Sequence, residues 1–527
     1  MFKFLRRKIR FLFQQNQRTF SKRESGKEEL DFPLVSELIE ENQSFVQEKF
    51  GTNLGVNYRI IQIGKENSRK GLLISIAGMA EKEILYDNII KPLLEMELSG
   101  EEDIIDYIRE KVISVLELTI EDNLNNLVAE LANGQSVLFI SREKRAIVLN
   151  AEGYSVRAIE EPQSETVVRG PREGFVENLQ TNLIMLRRKI RNPDLRMEAR
   201  VLGTRTNTRV IVAYIKGIAN QEIVEEVNRR LDSLKIDSLI DAGFIEEYIE
   251  DAPLSLFPTI GNTEKPDVAA MRLLNGKVAI FTEGTPSVLT VPHLFIDAFH
   301  KADDYYTRSV YVSFMRIVRL IAFLSATLAP GIAISLLNFH TELVPTPLLI
   351  SIAEASEGVP FPLVYEVLFV LLMYEWLREA GYRMPGQVGQ AVNIIGAVIL
   401  GETAVTAGLV GAPTVILIAS AAIATYLVPF LFDTVTLLRI MFILVSAAFG
   451  LFGVILLGMV ITAHLASLRS FGIPYTAPLF PINYRDLGDS IIRLPLWKLN
   501  FRPRTLRPAN LRRSWGRVWD RENNEKE

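Results

Sequence analysis

The sequence predicts an α/β cytosolic region of two related units followed by an all-α polytopic membrane domain, with about five transmembrane helices and room for one re-entrant segment. Three observations predict it. Residues 320–339, 403–432 and 440–463 carry no formal charge, in runs of 20, 30 and 24 residues. About 20 apolar residues span a bilayer as a helix. The chain before residue 311 is more polar and shows one pattern twice. The 527 residues leave room for several domains, and the 48% hydrophobic content and net charge of −4 average a polar half with an apolar half.

Residues 1–32 form a basic N-terminal tail, whose first 23 residues hold eight Lys/Arg and no acid. It lacks the unbroken apolar core and cleavage site of a secretory signal, so the N-terminal half is expected to stay in the cytoplasm. Two readings of this tail stand: an amphipathic segment on an anionic membrane surface, or a disordered basic tail. The chain has no cysteine, which excludes disulfides, thiolate metal sites and cysteine nucleophiles. His293, His300, His340 and His464 are scattered, without zinc spacing.

The first α/β unit is expected over residues 33–159. Helical spacing marks residues 33–50, 81–95 and 123–131, the last stopping at Asn133-Gly134. Residues 58–63 and 72–76 read as strands, 112–118 are ambiguous, and 137–140 with 146–149 read as a hairpin. The second unit, with its linker, is expected over residues 160–310. LLISIAGMAEKEI from Leu72 resembles VIVAYIKGIANQEI from Val210, and ANGQSVLFI from Ala132 resembles LNGKVAIF from Leu274. Together with Ile105–Ile108 against Ile245–Ile249, the offsets are 139, about 141 and 142 residues. A near-constant offset in one order is the mark of a repeated unit.

Residues 161–172 have linker composition, and 174–191 form a basic helix ending in Arg187, Arg188, Lys189 and Arg191. Such a cluster is a solvated face or a phosphate- or lipid-touching one. Acids crowd residues 235–251 at solvent-facing spacing, with Leu239, Ile240, Phe244, Ile245 and Ile249 as the expected buried set. This half has no phosphate loop, no dinucleotide fingerprint and no nucleophile elbow. An enzyme and a bound cofactor are therefore not expected.

The membrane domain is expected over residues 311–467. Its helices are placed at 314–339, 361–377, 388–410, 412–432 and 437–465. Pro330 should kink the first. The stretch 340–360 is acid-rich, and its apolar centre, 348–355, is too short to span. Glu366, Asn393, Glu402 and Thr406 are the candidate pore or intramembrane polar residues, because ionisable groups at membrane depth face protein or water. Asn393 and Glu402 are nine residues apart, half a turn out of phase, so a regular helix cannot aim both at one axis. Arg308, Arg316 and Arg319, then Arg378 and Arg383, then Arg439, fall on one side if the N-terminus is cytoplasmic. Residues 468–527 form a basic C-terminal tail. Five spans would put it outside, although its eleven Lys/Arg against six acids from residue 482 onward favour the cytoplasm.

Several long segments carry a family likeness: RLDSLKIDSLIDAGFIEEYIED from Arg230, GTPSVLTVPHLF from Gly284, DDYYTR from Asp303, PTPLLISIAEASEGVPFP from Pro345, REAGYRMPGQVGQAVNIIGAVILGETAV from Arg378 and LRSFGIPYTAPLFP from Leu468. On these, the chain resembles the A subunit of bacterial spore germinant receptors, the GerA family, from about residue 168 to 497. The resemblance implies a multi-pass protein of the spore inner membrane, with its N-terminal domain on the core side. It implies a transporter-like B subunit and a lipoprotein C subunit as partners. It also implies self-association into a ring that conducts monovalent cations when nutrient binds, and no nucleic acid. Two alternatives remain: a paralogous spore membrane channel component that amplifies ion release, and a non-conducting receptor scaffold.

Overall fold

The computed structural model describes residues 33–51, 55–65, 68–97, 103–115, 118–151, 165, 167–384 and 399–513. Asn393 with residues 388–398 of the helix expected at 388–410, the N-terminal tail and the last 14 residues lie outside them.

The N-terminal region is α/β. Its first sheet takes β1 (Val56–Ile63), β2 (Arg69–Ile76), β3 (Leu118–Glu121), β4 (Ser136–Ile140) and β5 (Ala146–Leu149), in the order β1-β2-β4-β5-β3. The second takes β6 (Leu195–Leu202), β7 (Thr208–Ile215), β8 (Gly261–Thr263), β9 (Val278–Thr282) and β10 (Val288–Val291), in the order β6-β7-β9-β10-β8. The strand orders correspond one to one. Register corresponds too: Leu72 faces Phe139 and Ile74 faces Val137 in the first sheet, and Ile211 faces Phe281 and Ala213 faces Ala279 in the second.

Both central pairs are apolar without alternation because both faces of each sheet are covered. In the first sheet, Leu72, Ile74 and Phe139 pack on α1 (Ile39–Phe50) and α2 (Leu124–Asn133). Leu73, Leu138 and Ile140 pack on the helical turns at Ile84–Ile90, Lys91–Glu95 and Ile104–Tyr107. In the second, Ile211, Ala213 and Phe281 meet α3 (Leu179–Lys189) and α6 (Pro266–Leu274). The opposite face, with Val210, Val212 and Ile280, meets α4 (Gln221–Asp232) and α5 (Ala242–Ile249). That layer has no floor of its own. It continues through Phe257, Phe295 and Phe299 into Phe323, Leu431, Val435 and Phe442 of the helical domain, as one core.

Part of the expected buried set is corrected here. Leu239, Ile245 and Ile249 are buried, whereas Ile240 is 67% and Phe244 40% exposed. The helix begins only at Ala242, so Ile240 precedes it, and eight residues bury a single narrow stripe of Ala242, Ile245 and Ile249.

The C-terminal part is helical: α7 (Ser309–Asn338), α8 (Thr346–Ala355), α9 (Leu363–Arg383), α10 (Ala412–Thr425) and α11 (Phe432–Ser467). Two stretches, Ser309–Asn338 and Pro429–Ser467, are long and apolar enough to cross a membrane. The second is not one rod. Thr434 Oγ1 donates to the Leu256 carbonyl at 2.5 Å, and His464 Nε2 lies 2.9 Å from Ser255 Oγ. Thirty residues of straight helix would hold those two positions about 45 Å apart. Instead α11 turns back at Gly450, whose φ of 60° and ψ of −147° are non-helical. A Cβ on Gly453 would stand 2.8 Å from the carbonyl oxygen of Val445, eight residues earlier. The helix expected at 437–465 is therefore a hairpin of two limbs, each about 26 Å long.

The first limb runs parallel to α7. Arg439 meets Ala326, Phe442 meets Gly331 and Gly450 meets Phe339. The second limb returns the chain to the α/β region, where residues 468–513 pack on the second sheet's unit. Tyr475 accepts from Phe295 N through its carbonyl at 2.9 Å, Ser470 Oγ donates to the Thr259 carbonyl at 2.7 Å, and Arg502 Nε donates to the Leu274 carbonyl at 2.8 Å. The C-terminal segment thus lies with the α/β region, at the near end of the bundle.

Gly450 sits where side chains pay steric strain, and a Cβ there would stand 3.0 Å from the Phe339 ring. Gly450→Ala should destabilise the protein by about 1–3 kcal/mol. Thermal unfolding of the detergent-solubilised chain checks this, with Gly458→Ala, whose Cβ meets nothing within 4 Å, staying within about 1 kcal/mol of the parent.

Candidate functional site

Glu366 lies in the first turn of α9 and is buried. Its Oε2 accepts from Gly411 N at 2.8 Å and from Thr414 Oγ1 at 3.2 Å. Gly411 is the residue that precedes α10, so the carboxylate takes one of that helix's unsatisfied N–H groups and meets the positive end of its dipole. This acid is committed to joining two helices. Glu402 and Thr406 are exposed and share one turn, in which the Thr406 hydroxyl donates to the Glu402 carbonyl at 2.9 Å and the Thr403 carbonyl at 3.2 Å. The structure therefore brings Glu402 and Thr406 together on a surface and turns Glu366 inward.

Composition did not reveal two other polar groupings. The first is inside the bundle. Proline has no N–H, so Pro330 leaves the Ala326 carbonyl without its helical donor. Arg439 Nε supplies one at 2.8 Å, and α7 runs unbroken through the proline. The same guanidinium donates through Nη2 to Thr425 Oγ1 and to the Ala421 carbonyl, tying α7, α10 and α11 together. At Gly331 a Cβ would stand 3.0 Å from the Phe442 carbonyl oxygen, so glycine is what lets the first limb come this close. The donor that Pro330 removes is thus supplied by a neighbouring helix. Nearby, Arg378 pairs with Glu375 at 2.6 Å and lies over the Phe432 ring.

The second grouping is where α7 leaves the α/β region. Asp304 is 1% exposed and holds both Arg316, at 3.0 Å through Nε, and Arg319, at 2.9 and 2.8 Å. Arg316 Nη1 also donates to the carbonyls of Asp489 and Ser490, at 2.8 and 2.7 Å, and Arg319 Nη1 to that of Phe299 at 2.8 Å. Tyr305 OH donates to Asp489 Oδ2 at 3.0 Å. Burial pushes the Asp304 carboxyl up, but its hydrogen bond to Arg319 and the charges of Arg319 and Arg316 hold it below the usual carboxylate range. The sequence signal was present: Arg316 and Arg319 share a helix face, and Asp304 and Tyr305 belong to the DDYYTR stretch.

His293 is the third junction residue. It is fully buried, its ring stacks at 4.5 Å on Phe430 of the segment joining α10 to α11, and neither ring nitrogen finds a partner among the described residues. Asp297 Oδ2, itself 2.6 Å from Lys277 Nζ, lies 4.0 Å from Nδ1. Burial lowers His293 to about 3, and burial with the Arg316 charge lowers His300 to about 4.

The family model described as "Bacillus/Clostridium GerA spore germination protein" matches residues 44–505. The chain is 38% identical over 475 residues to spore germination protein KA of Bacillus subtilis (strain 168), covering 90% of this chain and 87% of that protein. It is 36% identical over 436 residues to spore germination protein GerLA of Bacillus cereus, covering 82% and 89%. A crystal structure of the N-terminal domain of the A subunit of the Bacillus megaterium spore germinant receptor GerK3 matches with a TM-score of 0.41 and 32% identity, over 50% of this chain and 98% of that one. A helical bundle with two stretches long and apolar enough to cross a membrane among the described residues, carrying an α/β region, is the class of protein the fold defines. The chain belongs to the GerA family of spore germination proteins.

Two outcomes are expected from these contacts. Arg439→Met should cost about 1–3 kcal/mol by leaving the Ala326 carbonyl unpaired. Pro330→Ala, which restores an N–H to that carbonyl, should recover about 0.5–3 kcal/mol of the loss, a coupling read from a double-mutant cycle in thermal unfolding. The second concerns pH. His293 and His300 are neutral in both folded and unfolded chains above about 6.5. Below that pH the unfolded chain takes up protons that the folded one refuses, so stability should fall as pH drops from about 6.5 toward 4. At pH 5 each histidine contributes on the order of 2 kcal/mol of this loss. A His293→Phe variant should show a flatter stability profile between pH 6.5 and 4.

Proposed function

We propose that this chain is the membrane subunit of a nutrient germinant receptor that triggers spore germination. It sits in the spore inner membrane and crosses it several times, with the α/β region and residues 468–513 together on the core side. The observation that carries the reading is the helical bundle itself. Its first helix and its last limb are both bonded to one α/β unit, and family membership supplies the biological setting. A bilayer fits the geometry. Each hairpin limb, at about 26 Å, approaches the hydrocarbon thickness of about 30 Å. An even number of crossings follows from the hairpin, since it returns the chain to the side it left.

The partners of this reading are a transporter-like B subunit and a lipoprotein C subunit, and its action is self-association into a ring that passes monovalent cations. The α/β region, folded twice on one pattern, is the platform for lateral assembly. Within the bundle, Glu366 is occupied as a helix cap and Arg439 as a three-helix tie, so neither is free to line a path. Glu402 and Thr406, exposed on one turn, are the acid and hydroxyl left to face a path between copies.

The experiment is ion flux in liposomes containing the full chain with its two presumed partners. Glu402→Gln is expected to reduce nutrient-triggered cation flux at least tenfold without changing assembly. Glu366→Gln is expected to lower thermal stability by about 0.5–2 kcal/mol while leaving the flux of the assembled protein unchanged. Absence of flux from an intact complex would favour the non-conducting scaffold.

A further inference from the structure

A cavity of about 300 Å³ lies between α9, the turn at 401–409 and α10. Phe369, Met373, Leu377, Leu409, Val415 and Ile418 line it, and no charged side chain does among the described residues. Its volume is roughly twice that of the apolar cavity, about 150 Å³, that admits a benzene molecule. Its mouth is on the outer surface, because Phe369 and Leu409 both line it and remain 43% exposed. Beside that mouth the surface is apolar, with Leu372 and Ile416 exposed. The level is that of the charge-free run 403–432, between Glu366 at the far end of α9 and Arg378 at its near end.

The geometry points to an acyl-chain site: one tail of a membrane lipid enters between α9 and Leu409 and packs along Met373 and Ile418. The inference rests on the membrane reading above and adds to it a ligand class and a place. The occupant follows from the page. The cavity offers no charge to hold a headgroup, so only the hydrocarbon part of a ligand is accommodated within it. Its mouth is continuous with the outer apolar face of the bundle, which lipid tails cover in a bilayer. A polar or aqueous content is disfavoured because water needs two to four polar partners in a cavity. Among the described residues, only Thr403 and Tyr374 bring polar side-chain atoms to the lining. A lipid tail there would also touch the Glu402–Thr406 turn from behind, since Thr403 and Ala407 line the cavity and flank that turn.

The test uses the full chain in phosphatidylglycerol–phosphatidylcholine vesicles, in which a fraction of the lipid carries a diazirine at mid-chain. After photolysis, adducts are mapped by peptide mass spectrometry. Ile423, exposed on the outer face of α10, is the control for simple lipid contact. Adducts are expected on Met373, Leu377 or Val415 as well as on Ile423. Ala407→Phe, which fills the cavity, should reduce the lining adducts at least tenfold and leave the Ile423 adduct unchanged. Adducts on Ile423 with none on the lining would overturn the site, meaning that another segment or a second copy closes the cavity, while the membrane reading survives. Lining adducts that persist in Ala407→Phe would overturn it as well. Loss of the Ile423 adduct would sink the membrane reading itself.

Discussion

Everything above the bundle depends on Asp304 standing between Arg316 and Arg319. Removing three charges from water costs several kcal/mol per ion, and the attraction between them offsets this only when the remaining donors are also satisfied. Here they are satisfied by backbone. Phe299 completes Arg319, and Asp489 with Ser490 completes Arg316. Those last two carbonyls come from the far end of the chain, about 170 residues after the helix they serve. The first helix therefore reaches its observed seat only when the C-terminal segment has been returned to the α/β side. The hairpin at Gly450 is the device that returns it.

A second constraint follows from the same junction. The α4–α5 layer on the second sheet has no closing layer of its own and shares its core with α7, α10 and α11. Close-packed cores respond to displacement by repacking as a unit, not by local yielding. A shift of the sheet would reach the bundle through Phe295, Phe299 and Phe323, whose rings touch edge to face. It would also reach the α10–α11 connection through His293 and Phe430. In the first unit, the corresponding sheet face is closed by its own helical turns. One pattern folded twice thus yields one unit closed by its own helices and one that is continuous with the bundle.

Much of this was legible in the sequence. The near-constant offset between the stretches at 72–84 and 210–223, and between those at 132–140 and 274–281, announced the shared strand order. The charge-free runs announced the bundle. The direction of the chain through it was hidden. A run of 24 uncharged residues reads as a single span, because length and composition carry no information about a reversal at Gly450. Glu366 was visible as a buried acid, but the donors that claim it, the Gly411 N–H and the Thr414 hydroxyl, lie 45 and 48 residues away. Pro330 was visible as a missing donor, and the Ala326 carbonyl it leaves open is met by Arg439, 113 residues beyond that alanine. The arginines that gave orientation from charge counting, Arg316 and Arg319, prove to be consumed by Asp304. They sit at the near end for structural reasons, which happens to agree with the charge rule.

The central claim is that the bundle begins and ends on the side of the α/β region. The chain has no cysteine of its own, so single cysteines placed at exposed positions report sidedness directly. We would introduce Lys235→Cys in the α/β region, Lys498→Cys in the C-terminal segment and Glu357→Cys in the loop between α8 and α9. Each would be labelled with a membrane-impermeant maleimide in sealed, uniformly oriented vesicles. The account predicts that positions 235 and 498 label from one face and 357 from the other. Labelling of 498 together with 357, against 235, would contradict the hairpin and the junction built on it.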